Sequence, residues 1–555
     1  MEVTIIADQD ALPADIDLCV VGAGPVGLST ALASAELGKR VLLVDAGTAT
    51  SGGRDVDLAG EGLPTRVVDA ARHAPLEQTT RRGIGGTSWL WGGRCVRFEP
   101  IDFEARDYVP DSEWPIDVHD VEQWQGAAAR YLDCGTATFR STEPDWEGLD
   151  DFEMSQLERW ARQPKLAPGL GARVLEHPLI HVLMETRLTD LDLADDGSVE
   201  ALVVSRAGTT TRLTAPAYVL AMGGLEITRF LLGVQQNRPA LFGGVDGPLG
   251  RYYMGHATGS IADIVFDDPS RAAELDFERD AGGTYVRRRF TLTEEAQRRH
   301  RVLNTSFYLD NPPFYEYEHR NPTLSLVFLG LAIRPVGSRL IAEGIRLRHI
   351  GQPPYHFRAH VINVLRKPWR AAADVLDVLR QRYLAKVRRP GFILRNDGGR
   401  YAIHYHGEQV PNPDSRVFVQ TREDGSPELR IDYRYVEQDI DSLLRCHELL
   451  DEQLRRAGIG RIEYLAPTPE GVRASAWEQA TDGFHSIGTT RMSADPADGV
   501  VDRECRVHGS DNLYIASSSV FRTAGEANPT FLAACLAVRL AHQLAQVHAR
   551  PEPVV

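Results

Sequence analysis

Residues Asp17–Asp45 read DLCVVGAGPVGLSTALASAELGKRVLLVD. An apolar run of β character, Leu18 to Val21, leads into Gly22, Gly24 and Gly27 in the spacing G-x-G-x-x-G. An Ala/Leu-rich helical segment follows, and a second apolar strand, Val41 to Val44, ends in Asp45. The first glycine permits a tight turn, the second lets a pyrophosphate approach the backbone, and the third lets helix pack on strand. Unpaired N–H groups at the helix start then face the phosphates through Gly22-Ala23-Gly24-Pro25-Val26-Gly27. Asp45 stands where a carboxylate can accept hydrogen bonds from a ribose diol. A glycine-bearing turn alone is weak evidence. Strand, helix, second strand and acid in this order predict a dinucleotide site.

Working outward, 555 residues suggest two to four domains. The net charge of -16 argues against general affinity for nucleic acid. Six scattered cysteines without C-x-x-C spacing offer neither a disulfide framework nor a zinc site, so no metal and a reducing, cytoplasmic compartment are expected. The acidic N-terminus lacks the basic and apolar regions of a signal peptide. The longest apolar run, Leu324 to Ile333, is too short to span a bilayer.

After Asp45 the chain turns glycine-rich and irregular, as a surface loop does. The stretch Arg81 to Arg94, RRGIGGTSWLWGGR, sets many glycines beside two tryptophans, which suits backbone lying against a flat cofactor. Residues 100–175 read as a departure from the nucleotide domain. Alternating strands follow from Pro178, and Ala217 to Gly224 forms a second strand–glycine unit leading into a helix. That return to the parallel sheet predicts a discontinuous nucleotide domain. The expected units are 1–105, 176–260 and 471–555 for the cofactor, 106–175 as connection, and 261–470 for substrate. Within the last, 334–400 holds fifteen Lys/Arg against four acids. Arg339–Arg348 and Trp369–Arg389 could form basic amphipathic helices, for which a solvated arm or an oligomer contact is favoured over a membrane surface or an acidic partner.

Near the C-terminus, His485 precedes a glycine turn, and Asn528-Pro529-Thr530 opens an apolar helix with Asn as a good cap and Pro at the first helical position. Read alone, both are better explained by structure than by catalysis.

Taken together, VVGAGPVG (Val20 to Gly27), GIGGTSWLWGGR (Gly83 to Arg94), YVLAMGGLEITRFLL (Tyr218 to Leu232), HSIGTTRM (His485 to Met492) and NLYIASSSVFRTAGEANPT (Asn512 to Thr530) resemble the glucose-methanol-choline (GMC) flavoprotein oxidoreductases, and within them the pyranose oxidase-like bacterial branch. The resemblance implies an α/β fold: a Rossmann-like FAD-binding domain plus a substrate domain with an antiparallel sheet and helices. It nominates His485 as the base that takes a hydroxyl proton and Asn528 as its partner, with hydride leaving for the flavin. It implies FAD contacts from Arg82, Gly85, Gly86, Thr87, Ser88, Trp91 and Gly92, from Leu188 at the adenine, from Ser517 and Ser518 at the ribityl and pyrophosphate, and from Pro529 and Thr530. Ser88 stands where some relatives carry a histidine bonded to the cofactor, so FAD is expected to bind non-covalently. His404, His406 and Gln409 resemble the strand lining a sugar pocket. The implied reaction is oxidation of a sugar or glycoside hydroxyl at ring C2 or C3, with oxygen or a quinone-type carrier as acceptor. A primary 6-hydroxyl of an aminoglycoside-type substrate is the alternative. A nicotinamide-dependent dehydrogenase and a non-catalytic FAD-binding partner protein are the rivals, and a homo-oligomer is left open.

Overall fold

The computed structural model describes residues 5–6, 13, 15–49, 63–333, 335, 350–351 and 353–547. The expected helix at Arg339–Arg348 lies outside the described residues, as does most of the stretch after Asp45.

In chain order, the elements that position the site are β1 (Leu18–Val21), α1 (Pro25–Glu36), β2 (Val41–Val44), β3 (Ile180–Leu183), β4 (Ala217–Leu220), α2 (Gly224–Asn237), β5 (His256–Phe266), β6 (Thr305–Asp310), α3 (Pro322–Ala332), α4 (Phe357–Arg366), α5 (Pro368–Leu379), β7 (Arg400–Glu408), β8 (Gly460–Tyr464), β9 (Leu513–Ile515) and α6 (Thr530–Val547).

Five strands form a parallel sheet in the order β9-β4-β1-β2-β3. Cys19 pairs with Tyr218 on one side and Leu42 on the other, while Val41 pairs with Ile180 and Tyr218 with Leu513. Every residue of β1 and β2 is buried, which explains why these strands are continuously apolar: helices cover both faces of such a sheet. Gly24 caps α1 in extended conformation and Pro25 takes the first helical turn, where a missing N–H costs nothing. The Ala-rich face of α1 then packs closely on α6, whose first dozen residues are nearly all buried.

A second sheet of six strands runs β8-β5-β7-β6, continued by Phe290–Leu292 and Phe152–Glu153. The stretch read as connection thus lends an edge strand to the substrate side. The β5–β7 and β6–β7 pairings are antiparallel, with Thr258 opposite His406 and Ser306 opposite His406 on the other flank. Both sheets share one continuous hydrophobic core. The fold class is the expected one, a Rossmann-like α/β unit joined to a second, largely antiparallel sheet.

Candidate active site

The turn after β1 carries the cofactor cradle. Gly22 has φ of 110°, and a Cβ there would lie 2.4 Å from the Ala221 carbonyl oxygen. A Cβ at Gly27 would lie 1.8 Å from the Gly22 carbonyl oxygen. The protein's own packing therefore explains these two glycines. Gly24 is different: a Cβ built on it meets nothing within 4 Å among the described residues beyond its own chain neighbours. It opens on a cavity of about 450 Å³. Of the sequence-predicted residues, Gly22, Gly24, Pro25, Val26, Asp45, Arg82, Gly86, Thr87, Leu188, His485, Ser517, Ser518, Pro529 and Thr530 line this cavity.

The remaining predicted cofactor residues, Ala23, Gly27, Gly85, Ser88, Trp91 and Gly92, are not among the lining residues. They hold the wall in place. Gly85 N–H donates to the Ala23 carbonyl at 2.8 Å, pinning the 83–87 loop to the turn. The Ser88 hydroxyl is buried and accepts from the Leu166 N–H at 3.2 Å. The Trp91 indole donates to the Pro164 carbonyl at 2.5 Å.

Asp45 reaches the wall with its carboxylate largely committed. Oδ2 accepts from Ala23 N–H at 2.7 Å, and Oδ1 accepts from Gly47 N–H at 2.7 Å and Gly83 N–H at 2.8 Å. Both acceptor sites of Oδ1 are filled and one remains on Oδ2. The acid therefore ties three loops around the cradle as well as facing the cavity. Sequence reasoning singled out the strand–glycine unit at Ala217–Gly224 without naming its lining residues. Met222, Gly223 and Gly224 stand on the cavity wall, with Glu226 and Arg229 one turn into α2.

His485 stands on the same cavity wall. Its Nδ1 lies 3.1 Å from Asp482 Oδ2 and 3.0 Å from His256 Nδ1, and its Nε2 lies 3.2 Å from Asn528 Nδ2. The Asn528 amide donates, so Nε2 must accept and Nδ1 must carry the hydrogen, which it donates toward Asp482. In this arrangement the Nε2 lone pair is turned to Asn528. Asn528 Oδ1 is buried and has no hydrogen-bond partner.

Asp482 is held as an anion. Burial pushes its carboxyl up, but the imidazole of His485, that of His256 and the His256 backbone N–H outweigh burial and leave it at about 2. Oδ2 accepts from His256 N–H at 2.8 Å, and Oδ1 accepts from Phe484 N–H at 2.8 Å. Neither Asp482 nor His256 was singled out from sequence. Asp482 sits only three residues before His485, a spacing that carries no signal in a loop, and His256 comes from β5, 229 residues away.

The Asn528 segment is anchored by a buried ion pair. Arg289 bonds both oxygens of Glu526 at 2.5 Å, with Ser306 Oγ donating to the same carboxylate at 2.9 Å. The predicted substrate histidines divide. His406 is buried, lies tilted against the His256 ring with centroids 4.3 Å apart, and donates from Nδ1 to the Glu526 carbonyl at 2.5 Å. Burial, then the neighbouring His256, hold His406 well below the usual imidazole range. His404 lies two residues away on β7 and stacks on Tyr308 at 5.3 Å. Gln409 is fully buried, accepting from Gly255 N–H and Tyr433 O–H and donating to the Arg434 carbonyl. Its amide bridges protein segments, because three backbone and side-chain partners converge on it.

Comparison with known proteins follows this geometry. Residues 411–537 match the GMC oxidoreductase family through its C-terminal domain. Over 137 residues the chain is 35% identical to 6'''-hydroxyparomomycin C oxidase of Streptomyces lividus, spanning 24% of this chain and 23% of that one. Over 139 residues it is 27% identical to the fructose dehydrogenase large subunit of Gluconobacter japonicus, spanning 25% and 24%. The chain thus spans about a quarter of the length of these curated relatives. In fold it is similar to an FAD-dependent oxidoreductase from Chaetomium thermophilum, with a TM-score of 0.52, 15% identity, and coverage of 97% of this chain and all of the other. FAD is the cofactor this family implies, and the cavity fits it. The space beside Gly24 is kept clear of protein atoms, and the start of α6 contributes Pro529, Thr530 and Ala533 to the same wall.

Proposed function

We propose that this chain, which belongs to the GMC oxidoreductases, is an FAD-dependent enzyme that oxidises a sugar or glycoside hydroxyl to a carbonyl. One observation carries the reading: an accepting imidazole nitrogen, His485 Nε2, meets the Asn528 amide, and His485 lines the cavity on which Gly24 opens. When bound, FAD supplies the two-electron acceptor for hydride. The protein supplies the rest. A substrate hydroxyl that inserts at the His485–Asn528 contact donates to Nε2 and accepts from Nδ2. The O–H proton passes to Nε2, the C–H pair leaves as hydride, and the C–O bond becomes double. Imidazolium formed at His485 is stabilised by the Asp482 anion 3.1 Å from Nδ1. The α6 N-terminus adds partial positive charge on the cofactor side.

The substrate reading is oxidation of a pyranose at C2 or C3. A second reading is supported by the relative named for 6'''-hydroxyparomomycin C: oxidation of a primary hydroxyl on an aminoglycoside-type substrate to an aldehyde. FAD is held without a covalent bond, since Ser88 is turned into the protein and offers no nucleophile to the ring. The acceptor that reoxidises the enzyme is oxygen or a quinone-type carrier. The six cysteines are unpaired and buried, which supports work in a reducing compartment. An anaerobic screen for bleaching of the oxidised-flavin absorbance over free sugars, glycosides and aminoglycosides tests the reading, and NMR of the product names the oxidised carbon. A yellow protein that no hydroxyl-bearing substrate bleaches would sink it.

A further inference from the structure

Helices α4 and α5 are built inside out. In α4 the buried positions are polar: His360 Nδ1 lies 3.1 Å from Ser325 Oγ, and Asn363 Nδ2 donates to the Tyr317 carbonyl at 2.8 Å. Large apolar side chains stand among the outward positions. Val361 and Ile362 are over 40% exposed, Leu365 69%, Trp369 87% and Leu376 66%, with Leu384 just beyond at 82%. In α5 the one buried residue is Ala371. Burying amides while exposing a tryptophan and a row of leucines reverses the pattern of a surface helix, whose apolar stripe faces the core. A contiguous apolar face of this kind marks a contact with something outside the chain.

The rim of that face decides what the contact is. Residues 357–389 carry nine Lys/Arg against Asp374 and Asp377, in a protein whose net charge is -16. Arg358, Arg366, Lys367, Arg380, Lys386 and Arg388 are all exposed. A twofold contact between two copies would set this positive excess against itself. An anionic surface would match it. Apolar side chains flanked by cations, with a tryptophan at the margin, are what a helix lying in a membrane interface presents. We infer that α4 and α5 dock this protein on an anionic phospholipid surface. The sequence expectation of a solvated arm rested on charge alone; the structure adds that the outward residues between the cations are leucine, isoleucine, valine and tryptophan.

The position suits docking that leaves the cavity free. Lys367 and Arg370 bond to Asp397, so both helices seat at the Arg400 end of β7. His406 lies six residues along that strand, roughly 20 Å away at the usual rise.

The test is flotation of the full-length chain with vesicles of phosphatidylcholine alone or with phosphatidylglycerol at roughly one lipid in three. Binding is expected with the anionic vesicles, at least about tenfold stronger than with neutral ones, and weakened when salt rises from about 0.1 to about 0.5 M. The variant Leu365→Glu/Trp369→Glu should lose about tenfold or more, and so should Arg366→Gln/Arg380→Gln, which leaves the apolar face intact. Val245→Glu, at an apolar residue 70% exposed elsewhere, should bind as the parent does. The readout is bound protein, so it stands or falls separately from the sugar chemistry. Equal binding to both vesicle types, unchanged binding of both variants, or a dimer in sedimentation that Leu365→Glu/Trp369→Glu dissociates would each overturn the inference.

Discussion

Asp482 Oδ2 lies 3.1 Å from His485 Nδ1, on the side of the imidazole away from Asn528. The carboxylate fixes the tautomer whose free lone pair, at Nε2, is the one a hydroxyl can use. Proton transfer then creates a cation beside an anion that is already in place, and their attraction offsets part of the cost of forming that cation in a buried site.

Replacing Asp482 with Asn keeps the shape and removes the charge. The amide can present its N–H to Nδ1 and stabilise the wrong tautomer. We expect kcat to fall by about 10² or more, as happens when a carboxylate that orients a catalytic histidine is lost. The flavin absorbance should persist, and the activity limb at acidic pH should shift. Parent-like turnover at every pH would remove Asp482 from the proton path.

His485→Ala should abolish most turnover, by roughly the hundredfold or more that a general base contributes, with FAD still bound. Stopped-flow reduction under anaerobic conditions reads the chemical step directly. A reduction rate near that of the parent would mean that another group takes the proton.

Much of this arrangement is legible in the sequence, and the rest is hidden for identifiable reasons. The run from Leu18 to Asp45 specifies β1, α1 and β2 because apolar periodicity and the glycine spacing agree locally. The carboxylate of Asp45 stands at the cavity, yet three backbone N–H groups claim it, and only assembled loops reveal that. His256, at the start of β5, reaches His485 because Met254 bridges Ile487, joining segments far apart in sequence. Gln409 reads as a sugar ligand beside a histidine-rich strand; its three protein partners are Gly255, just before β5, and the 433–434 segment, which no local pattern announces.

Gly24→Val should prevent FAD loading while leaving the fold alone. The added side chain meets no protein atom at its Cβ, so the expected effect is on the ligand and not on packing. Purified variant should lack the visible flavin spectrum, and its thermal transition should match that of the parent stripped of cofactor. Gly27→Val serves as the contrast, since its Cβ would collide with the Gly22 carbonyl and unsettle the chain itself. A yellow Gly24→Val protein would move the diphosphate elsewhere.

Acid stability follows from the buried imidazoles. Burial, then the nearby His485, lowers His256 to about 3, and burial with its neighbours lowers His406 well below the ordinary value. Below an unfolded value of about 6.5 the unfolded chain binds protons that these folded imidazoles refuse, so stability falls as pH falls from there toward the folded values. Asp482 acts in the same direction over a lower window, from 3.8 down to about 2, because its folded value is depressed. At pH 5 each neutral histidine should cost up to about 2 kcal/mol relative to neutral pH. Thermal melts at pH 7.5 and pH 5 should therefore show a marked drop for the parent. His406→Phe should show a smaller drop than the parent, whatever its absolute stability, because one refused proton is gone. An equal pH response in the two proteins would mean that His406 already carries its proton in the folded state.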